Sequence, residues 1–303
     1  LSDVDAIVGR GGSCYPVASG VYVIDDKLIE DTAAGKGGME HPSNLGVQLA
    51  RELQKEFGGR IFMVDPPCVD ELCDMARMTG IDGVPRHTNM HALNLRGVAM
   101  HHAKHVLGKK YEDCCFIVCH IDGGISVSAH RYGRIIDCND AAGGDGPYTP
   151  TRIGSVSVAD ILEYVRDKDI DEVKKLCTRT GGFVSHFGTS SSDAVHKMAE
   201  EGDKKAIRVW DGMKYQIVKY IGAMAAVLGG RVDGILLTGG LLRFEDITQT
   251  IREQCEWIAP VSTYPGEVEH EALAAGALRV LRGEEEPKHY TGRPVWDGWH
   301  DDD

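Results

Sequence analysis

The spacing of apolar residues along the chain predicts helices and short strands in alternation. Apolar side chains recur at every fourth position from Leu45 to Phe57, which is the period of a helix. Segment 204–228 has apolar residues on most of a helical surface, so we expect a buried helix there. Short apolar runs predict strands at 60–64, 234–238 and 259–263. Further helices are expected at 69–78, 91–107, 244–257 and 267–282. This alternation is typical of an α/β fold.

One stretch, VCHIDGGISVSAHRYGRIIDCND (118–140), predicts antiparallel strands joined by tight turns. The run from Cys114 to His120 is apolar until its last residue, and residues 125–129 then alternate apolar with small polar side chains. Gly123 and Gly124 stand at the junction of the two strands. A glycine pair beside Ser and His suits close approach of the backbone to a phosphate. An ordinary hairpin with a glycine bulge is the alternative.

Composition narrows the class of protein. The chain has 303 residues, enough for one large or two ordinary domains, and a formal net charge of -13. This charge argues against a nucleic-acid partner or an anionic membrane surface, and no apolar run approaches the roughly 20 residues that span a bilayer. Nine cysteines without a CxxC pair indicate free thiols in a reducing cytoplasm. The first residue is Leu1 rather than Met, and no signal peptide is recognised.

Two further strand ends have candidate chemistry. Asp65 ends an apolar strand before two prolines, so it either forms a turn or holds a metal or a phosphoryl group. LLTGGLLRFED (236–246) predicts a strand, a glycine pair and a helix start. The pair would let the backbone approach a flat ligand such as a nucleotide base, and a plain strand-to-helix turn is the alternative.

Motifs spread over most of the chain carry a resemblance to a known family. They are VGRGG (8–12), EHPSNLG (40–46), VDPPCVDEL (64–72), HALN (91–94), LGKKYED (107–113), HIDGGISVSAH (120–130), GPYTPTRIG (146–154), IGAMAAVL (221–228), VDGILLTGG (232–240) and IAPVSTYPGEVEHEALAAGALRVLRGEE (258–285). From about Ala6 to Glu285 the chain resembles the acetokinase family, and its butyrate kinases more than its acetate kinases. This family belongs to the superfamily of acetate and sugar kinases, Hsp70 and actin.

The resemblance implies an α/β fold of the two-domain, actin-like ATPase (ribonuclease H-like) type, with the first domain truncated at its N-terminus. The first domain would comprise 1–67 with 272–303, on the acyl-substrate side, and 68–271 would form the nucleotide-binding domain. The implied reaction is reversible, ATP-dependent and Mg2+-dependent phosphorylation of a short-chain carboxylate, butyrate or a branched-chain fatty acid, to an acyl phosphate. A cytoplasmic homodimer or higher homo-oligomer is implied, without nucleic acid or membrane partners. The alternatives are a truncated, non-catalytic nucleotide-binding homologue and an acetate kinase.

The same resemblance assigns roles to residues of this chain. The catalytic candidates are Arg10, Asp65, His87 and Arg152. The candidates in the phosphate loop are His120, Asp122, Gly123, Gly124 and Ser126. The candidates in the adenosine loop are Thr238, Gly239 and Gly240. The metal would be held by Glu271 and Asp65, with Glu267 and Glu269 as rivals to Glu271; on another interpretation these glutamates only begin a helix, where negative charge is favourable.

Two departures from the family pattern affect these expectations. The first phosphate hairpin of the family has no counterpart before Leu1. An upstream extension with such a hairpin would favour the enzyme, whereas a true start at Leu1 would favour the non-catalytic alternative. Asp122 stands where the family usually has glycine. A carboxylate that faces a triphosphate weakens binding unless it turns away or meets Mg2+.

Overall fold

The computed structural model describes residues 4–38 and 42–299, and it divides the chain into two compact units. Unit 1 comprises Leu1–Glu71, His91–Gly97 and Val268–Asp303, and unit 2 comprises Leu72–Met90 and Val98–Glu267. The domain boundaries expected from the sequence, 67/68 and 271/272, stay a prediction; the compact units change at 71/72 and 267/268, and His91–Gly97 belongs to unit 1. Two residues of the EHPSNLG motif, Glu40 and His41, lie outside the described residues.

Helices and strands alternate as the apolar pattern predicts. The strands are β1 (Ala6–Gly9), β2 (Val21–Val23), β3 (Arg60–Val64), β4 (Cys115–Ile121), β5 (Ile125–Arg131), β6 (Arg134–Cys138), β7 (Gly234–Gly239) and β8 (Val261–Pro265). The helices are α1 (Asp26–Ala33), α2 (Leu45–Phe57), α3 (Asp74–Arg77), α4 (Ala92–His105), α5 (Val158–Tyr164), α6 (Ile170–Thr178), α7 (Gly182–Phe187), α8 (Ser192–Glu200), α9 (Lys204–Val227), α10 (Glu245–Cys255) and α11 (Glu269–Leu281).

Unit 1 is built on a three-stranded sheet in the order β1-β3-β2, in which β1 runs parallel and β2 antiparallel to β3. The C-terminal tail packs on this unit. Lys288 exchanges backbone hydrogen bonds with Val21 and Val23, at 2.7 and 2.9 Å. Tyr290 is 5% exposed, and its hydroxyl donates to Asp31 Oδ2 at 3.0 Å. The tail thus adds Lys288 to the sheet edge beside β2 and Tyr290 to the core.

Unit 2 is built on a five-stranded sheet in the order β6-β5-β4-β7-β8. The hairpins β4–β5 and β5–β6 are antiparallel, as the sequence predicts, and β7 and β8 continue the sheet parallel to β4. Helix α9 packs one face on the core through residues such as Met213, Ile217 and Ile221. Its other face is open, with Tyr215 66% exposed, so α9 is amphipathic rather than buried all round.

The apolar pattern misleads in two places. The helix expected over 69–78 is reduced to the single turn of α3, because the chain is extended where Val69 and Asp70 pair with the backbone of Val17. Helix α2 forms as predicted, but its leucine stripe faces outward and its small residues pack inward. The exposed leucines are Leu45, Leu49 and Leu53, at 59%, 58% and 43% exposure. The period therefore predicts the helix but not the face that it buries.

Candidate functional site

The carboxyl ends of three neighbouring strands of unit 2 form one edge, the carboxyl edge. β4, β7 and β8 are parallel, and their register aligns His120 with Thr238 and Thr238 with Tyr264. His120 is 1% exposed and Thr238 is fully buried, as is Ser126, the partner of His120 across the hairpin. Open α/β sheets bind their ligands outside the carboxyl ends of their strands. The predicted phosphate-loop and adenosine-loop residues thus lie at the edge where a ligand is expected.

Asp122 ties the two predicted nucleotide loops together. Its Oδ1 accepts a hydrogen bond from the backbone N–H of Gly123 at 2.8 Å, and its Oδ2 accepts one from Gly240 at 2.7 Å. One carboxylate therefore joins the end of β4 to the end of β7. The sequence suggested that this side chain either turns away or faces the phosphates. In the structure it takes up two backbone amides, one of which the resemblance reserves for phosphate.

The surroundings of the glycines differ between the two loops. A Cβ added at Gly123 would meet no heavy atom within 4 Å, so neighbouring parts of the chain leave the space beside it open. Gly239 has φ +108°, and a Cβ there would lie 2.3 Å from the carbonyl oxygen of Ile121. A Cβ at Gly240 would lie 2.6 Å from Asp122 Oδ2. Gly239 is therefore required by its contact with the backbone of β4, independently of any ligand, whereas Gly240 is close only to the side chain of Asp122.

The loop at 143–154 is fastened to the phosphate loop. The hydroxyls of Thr149 and Thr151 donate to the carbonyl oxygen of Gly123, at 2.7 and 3.2 Å. Arg152 follows directly, and its Nη1 donates to the carbonyl of Ala141 at 2.7 Å. The Nε of Arg152 is buried without a hydrogen-bond partner, and burial lowers the pKa of this guanidinium. A partly buried cation with an unused donor, next to a phosphate loop, suits an anionic ligand.

A carboxylate also reaches the carboxyl edge from the end of β8. Gly266 exchanges backbone hydrogen bonds with Gly239, at 2.8 and 3.2 Å, and accepts one from the Thr238 hydroxyl. This pairing places the next residue, Glu267, so that its Oε1 lies 4.0 Å from His120 Nε2. The ligand atoms of His120, Asp122 and Glu267 all lie within 4.8 Å of one another. Glu267 was only a rival to Glu271 in the sequence, because spacing alone does not select among acids at a helix start.

Asp65 lies in a buried polar network of unit 1. It is 4% exposed; its Oδ1 accepts from the backbone N–H of Gly20 at 2.7 Å, and its Oδ2 accepts from Arg96 Nε at 3.1 Å. Arg96 also donates to the hydroxyl of Ser19 at 2.9 Å, and Ser19 donates to Glu71. Sequence reasoning missed Arg96, Ser19 and Glu71. The signal for Arg96 was a lone charged residue within the mostly apolar stretch ALNLRGVAM.

The remaining predicted residues lie in more open places. Arg10 Nη2 lies 2.9 Å from Glu269 Oε1 in unit 1, and the arginine side chain is 45% exposed. Glu271 is exposed in the first turn of α11, where its charge favours the helix dipole. In unit 2, the side chain of His87 is 75% exposed, and its Nε2 lies 4.0 Å from Asp140 Oδ2. The roles assigned to these residues stay predictions.

Solved structures define the class of fold to which this arrangement belongs. The chain matches the acetate kinase of Porphyromonas gingivalis with a TM-score of 0.79 at 21% identity, over 92% of this chain and 78% of that one. It matches the acetate kinase of Entamoeba histolytica with a TM-score of 0.78 at 15% identity, over 92% and 80%. The predicted two-domain, actin-like ATPase fold is thereby confirmed. Among the described residues, no helix is long and apolar enough to cross a membrane.

Sequence relatives then identify the family. The family model of the acetokinase family matches residues 84–262. Butyrate kinase 1 of Clostridium acetobutylicum is 43% identical over 292 residues, which is 96% of this chain and 82% of that protein. A probable butyrate kinase of Coprothermobacter proteolyticus is 42% identical over the same shares. The chain belongs to the acetokinase family, as its motifs predicted.

Proposed function

We propose that this protein transfers the γ-phosphoryl group of ATP to a short-chain carboxylate, butyrate or a branched-chain fatty acid. A carboxylate oxygen attacks the γ-phosphorus, the bond from that phosphorus to the β–γ bridging oxygen breaks, and ADP leaves with the electron pair. The product is an acyl phosphate, and the same steps in reverse make ATP. The observation that carries this proposal is 43% identity over 96% of the chain to a protein named butyrate kinase.

Arg152 is the residue we assign to the transferring phosphoryl group. Phosphoryl transfer relies mainly on positioning and on stabilising charge over the phosphoryl oxygens. The planar guanidinium suits this work, and in this protein its Nε has no internal partner. Thr149 and Thr151 hold the loop that carries Arg152 to the phosphate loop, so the position of that loop is set before a ligand binds. The local geometry of unit 2 therefore supports the role that the family resemblance implied.

We propose ATP with Mg2+ as the nucleotide substrate, with the ion carried largely by phosphate oxygens. Of the two predicted metal ligands, Asp65 fits poorly. The Arg96 guanidinium already neutralises its charge at 3.1 Å, and a dication placed there would lie beside that cation. We therefore interpret Asp65 as an anchor within unit 1. Glu271 is an exposed carboxylate whose role stays a prediction.

Butyrate is favoured over acetate as the substrate. The relatives above 40% identity include proteins named butyrate kinase, whereas the acetate kinases of P. gingivalis and E. histolytica are 21% and 15% identical.

A cytoplasmic homodimer or higher homo-oligomer is part of the same proposal. The outward leucine stripe of α2 is compatible with association, and light scattering on the purified chain measures it.

The test traps the product. The chain is incubated with Mg-ATP, hydroxylamine and one carboxylate from acetate to isovalerate, and the hydroxamate formed from the acyl phosphate is measured. Butyrate or a branched-chain acid is expected to give the highest kcat/KM, with the C. acetobutylicum butyrate kinase 1 as positive control. A preference for acetate would favour the acetate kinase alternative. ATP binding without hydroxamate from any acid would favour the non-catalytic homologue.

A further inference from the structure

Three metal-ligating side chains converge at the carboxyl edge of unit 2. These are His120, Asp122 and Glu267, whose ligand atoms lie within 4.8 Å of one another. In residues 4–38 and 42–299 this is the one such group of three or more. We propose that these side chains bind one divalent cation of the first transition series, with Mn2+ as the representative ion. The inference goes beyond the proposed kinase reaction, since it concerns a cation bound in the absence of nucleotide.

The ligands stand on the central strands of the sheet. His120 lies within β4 and is 1% exposed, and the Gly239–Gly266 pairing holds the chain just before Glu267. Asp122 is oriented by the amides of Gly123 and Gly240, which are neutral donors. Carboxylates that bind metals are usually oriented by such outer hydrogen bonds. This environment contrasts with that of Asp65, whose partner is a cation.

The distances suit one ion after a small adjustment. Metal–ligand bonds of about 2.0–2.2 Å allow two ligand atoms to be at most about 4.4 Å apart on one ion. His120 Nε2 and Glu267 Oε1 are 4.0 Å apart, and every pair is within 4.8 Å. Glu267 is 50% exposed, so it can rotate toward the ion without disturbing the core.

The donor set selects the kind of cation. One imidazole nitrogen and two carboxylate oxygens suit Mn2+, Co2+ or Zn2+, whereas Mg2+ prefers oxygen ligands alone. Two carboxylates also balance the charge of a dication. Without a cation, Asp122 and Glu267 would repel phosphate at the edge where the nucleotide is proposed to bind. With one, the same edge presents positive charge to the phosphates.

The experiment measures metal binding to the full chain without nucleotide or carboxylate. Metal-free protein is titrated with Mn2+ while the free ion is followed by EPR, and 14N modulation of the bound ion reports imidazole ligation. We expect one tight Mn2+ per chain, 14N modulation, and weaker Mg2+ binding. Asp122→Asn and Glu267→Gln should each weaken Mn2+ at least tenfold. Asp122→Asn keeps one of the two oxygen acceptors for the backbone amides, and Glu267→Gln changes a half-exposed side chain, so both variants should fold.

Variants at two other glutamates provide a control and a test of the alternative ligand. Glu256→Gln removes an exposed carboxylate elsewhere in unit 2 and should leave Mn2+ affinity unchanged. Glu271→Gln tests the ligand that the family resemblance implied. Loss of Mn2+ in that variant, with Glu267→Gln unaffected, would overturn the proposal. So would the absence of stoichiometric binding or of 14N modulation. A chain that binds Mn2+ as described but makes no acyl phosphate would count against the proposed function alone.

Discussion

The buried pair of Asp65 and Arg96 gives a test of whether Asp65 is an anchor. Both residues are almost fully buried, at 4% and 7% exposure, and their charged atoms are 3.1 Å apart. Asp65→Asn keeps an oxygen for the N–H of Gly20, and asparagine tolerates the positive φ of 39° at this position. The substitution removes the charge, and it also replaces the Oδ2 acceptor of Arg96 Nε by an amide nitrogen. Removing the charge of Asp65 from beside the buried Arg96 should cost about 3 kcal/mol of folding free energy, the lower end of the range for breaking a buried ion pair, because Ser19 still accepts from Arg96.

Urea unfolding and amide hydrogen exchange measure this cost together. Exchange is needed because two units need not unfold in one step. The loss of protection should concentrate in unit 1, including the amide of Gly20. Arg96→Met in the Asp65→Asn background should recover much of the stability, since it removes the buried guanidinium itself. A loss of less than about 1 kcal/mol, together with a hundredfold loss of turnover, would refute the anchor and return Asp65 to the catalytic role.

Single contacts give three further predictions. Arg152→Ala should lower kcat about a hundredfold with little change in ATP affinity, and unchanged turnover would remove it from the site. Burial and the neighbouring His101 lower the pKa of His102 below its usual value of 6.5. The stability contributed by the neutral His102 should therefore be fully present above pH 6.5 and be lost as the pH falls below that value. His102→Gln should therefore narrow the Tm difference between pH about 8 and about 5. Gly239→Ala should lower Tm sharply, because its Cβ would lie 2.3 Å from the Ile121 carbonyl; an unchanged Tm would contradict that geometry.

Features that depend on neighbouring residues were predictable from the sequence. The hairpin of β4 and β5 follows from an apolar strand, a glycine pair and an alternating strand, and the pairing of Ile121 with Ile125 agrees with it. The order of strands and helices likewise follows from apolar spacing. The family resemblance added the fold, because its motifs are distributed over both units. Element ends shifted by a few residues where the chain enters or leaves a turn.

Contacts between distant positions were not predictable. Asp65 meets Arg96 across 31 positions, and Asp122 meets Gly240 across 118. No local period reports such pairs, because they depend on which strands are neighbours in the sheet. The face of α2 was missed for a related reason. Leucines at every fourth position predict one side of a helix, but only the packing of Val47 and Ala50 on the unit shows that this side is the outer one.

Asp122 departs from the family pattern in the phosphate loop, and its contact with the distant Gly240 changes how that departure is interpreted. Considered alone, Asp122 is a charge placed where phosphate is expected, which suggests a damaged site. Its carboxylate instead takes the amide of Gly240, and a Cβ at 240 would lie 2.6 Å from that oxygen. With Asp122 in this conformation, a side chain at 240 would require the carboxylate to shift, so the two positions are coupled. The departure adds a connection between the two loops, whereas a decaying site would be expected to lose contacts between them.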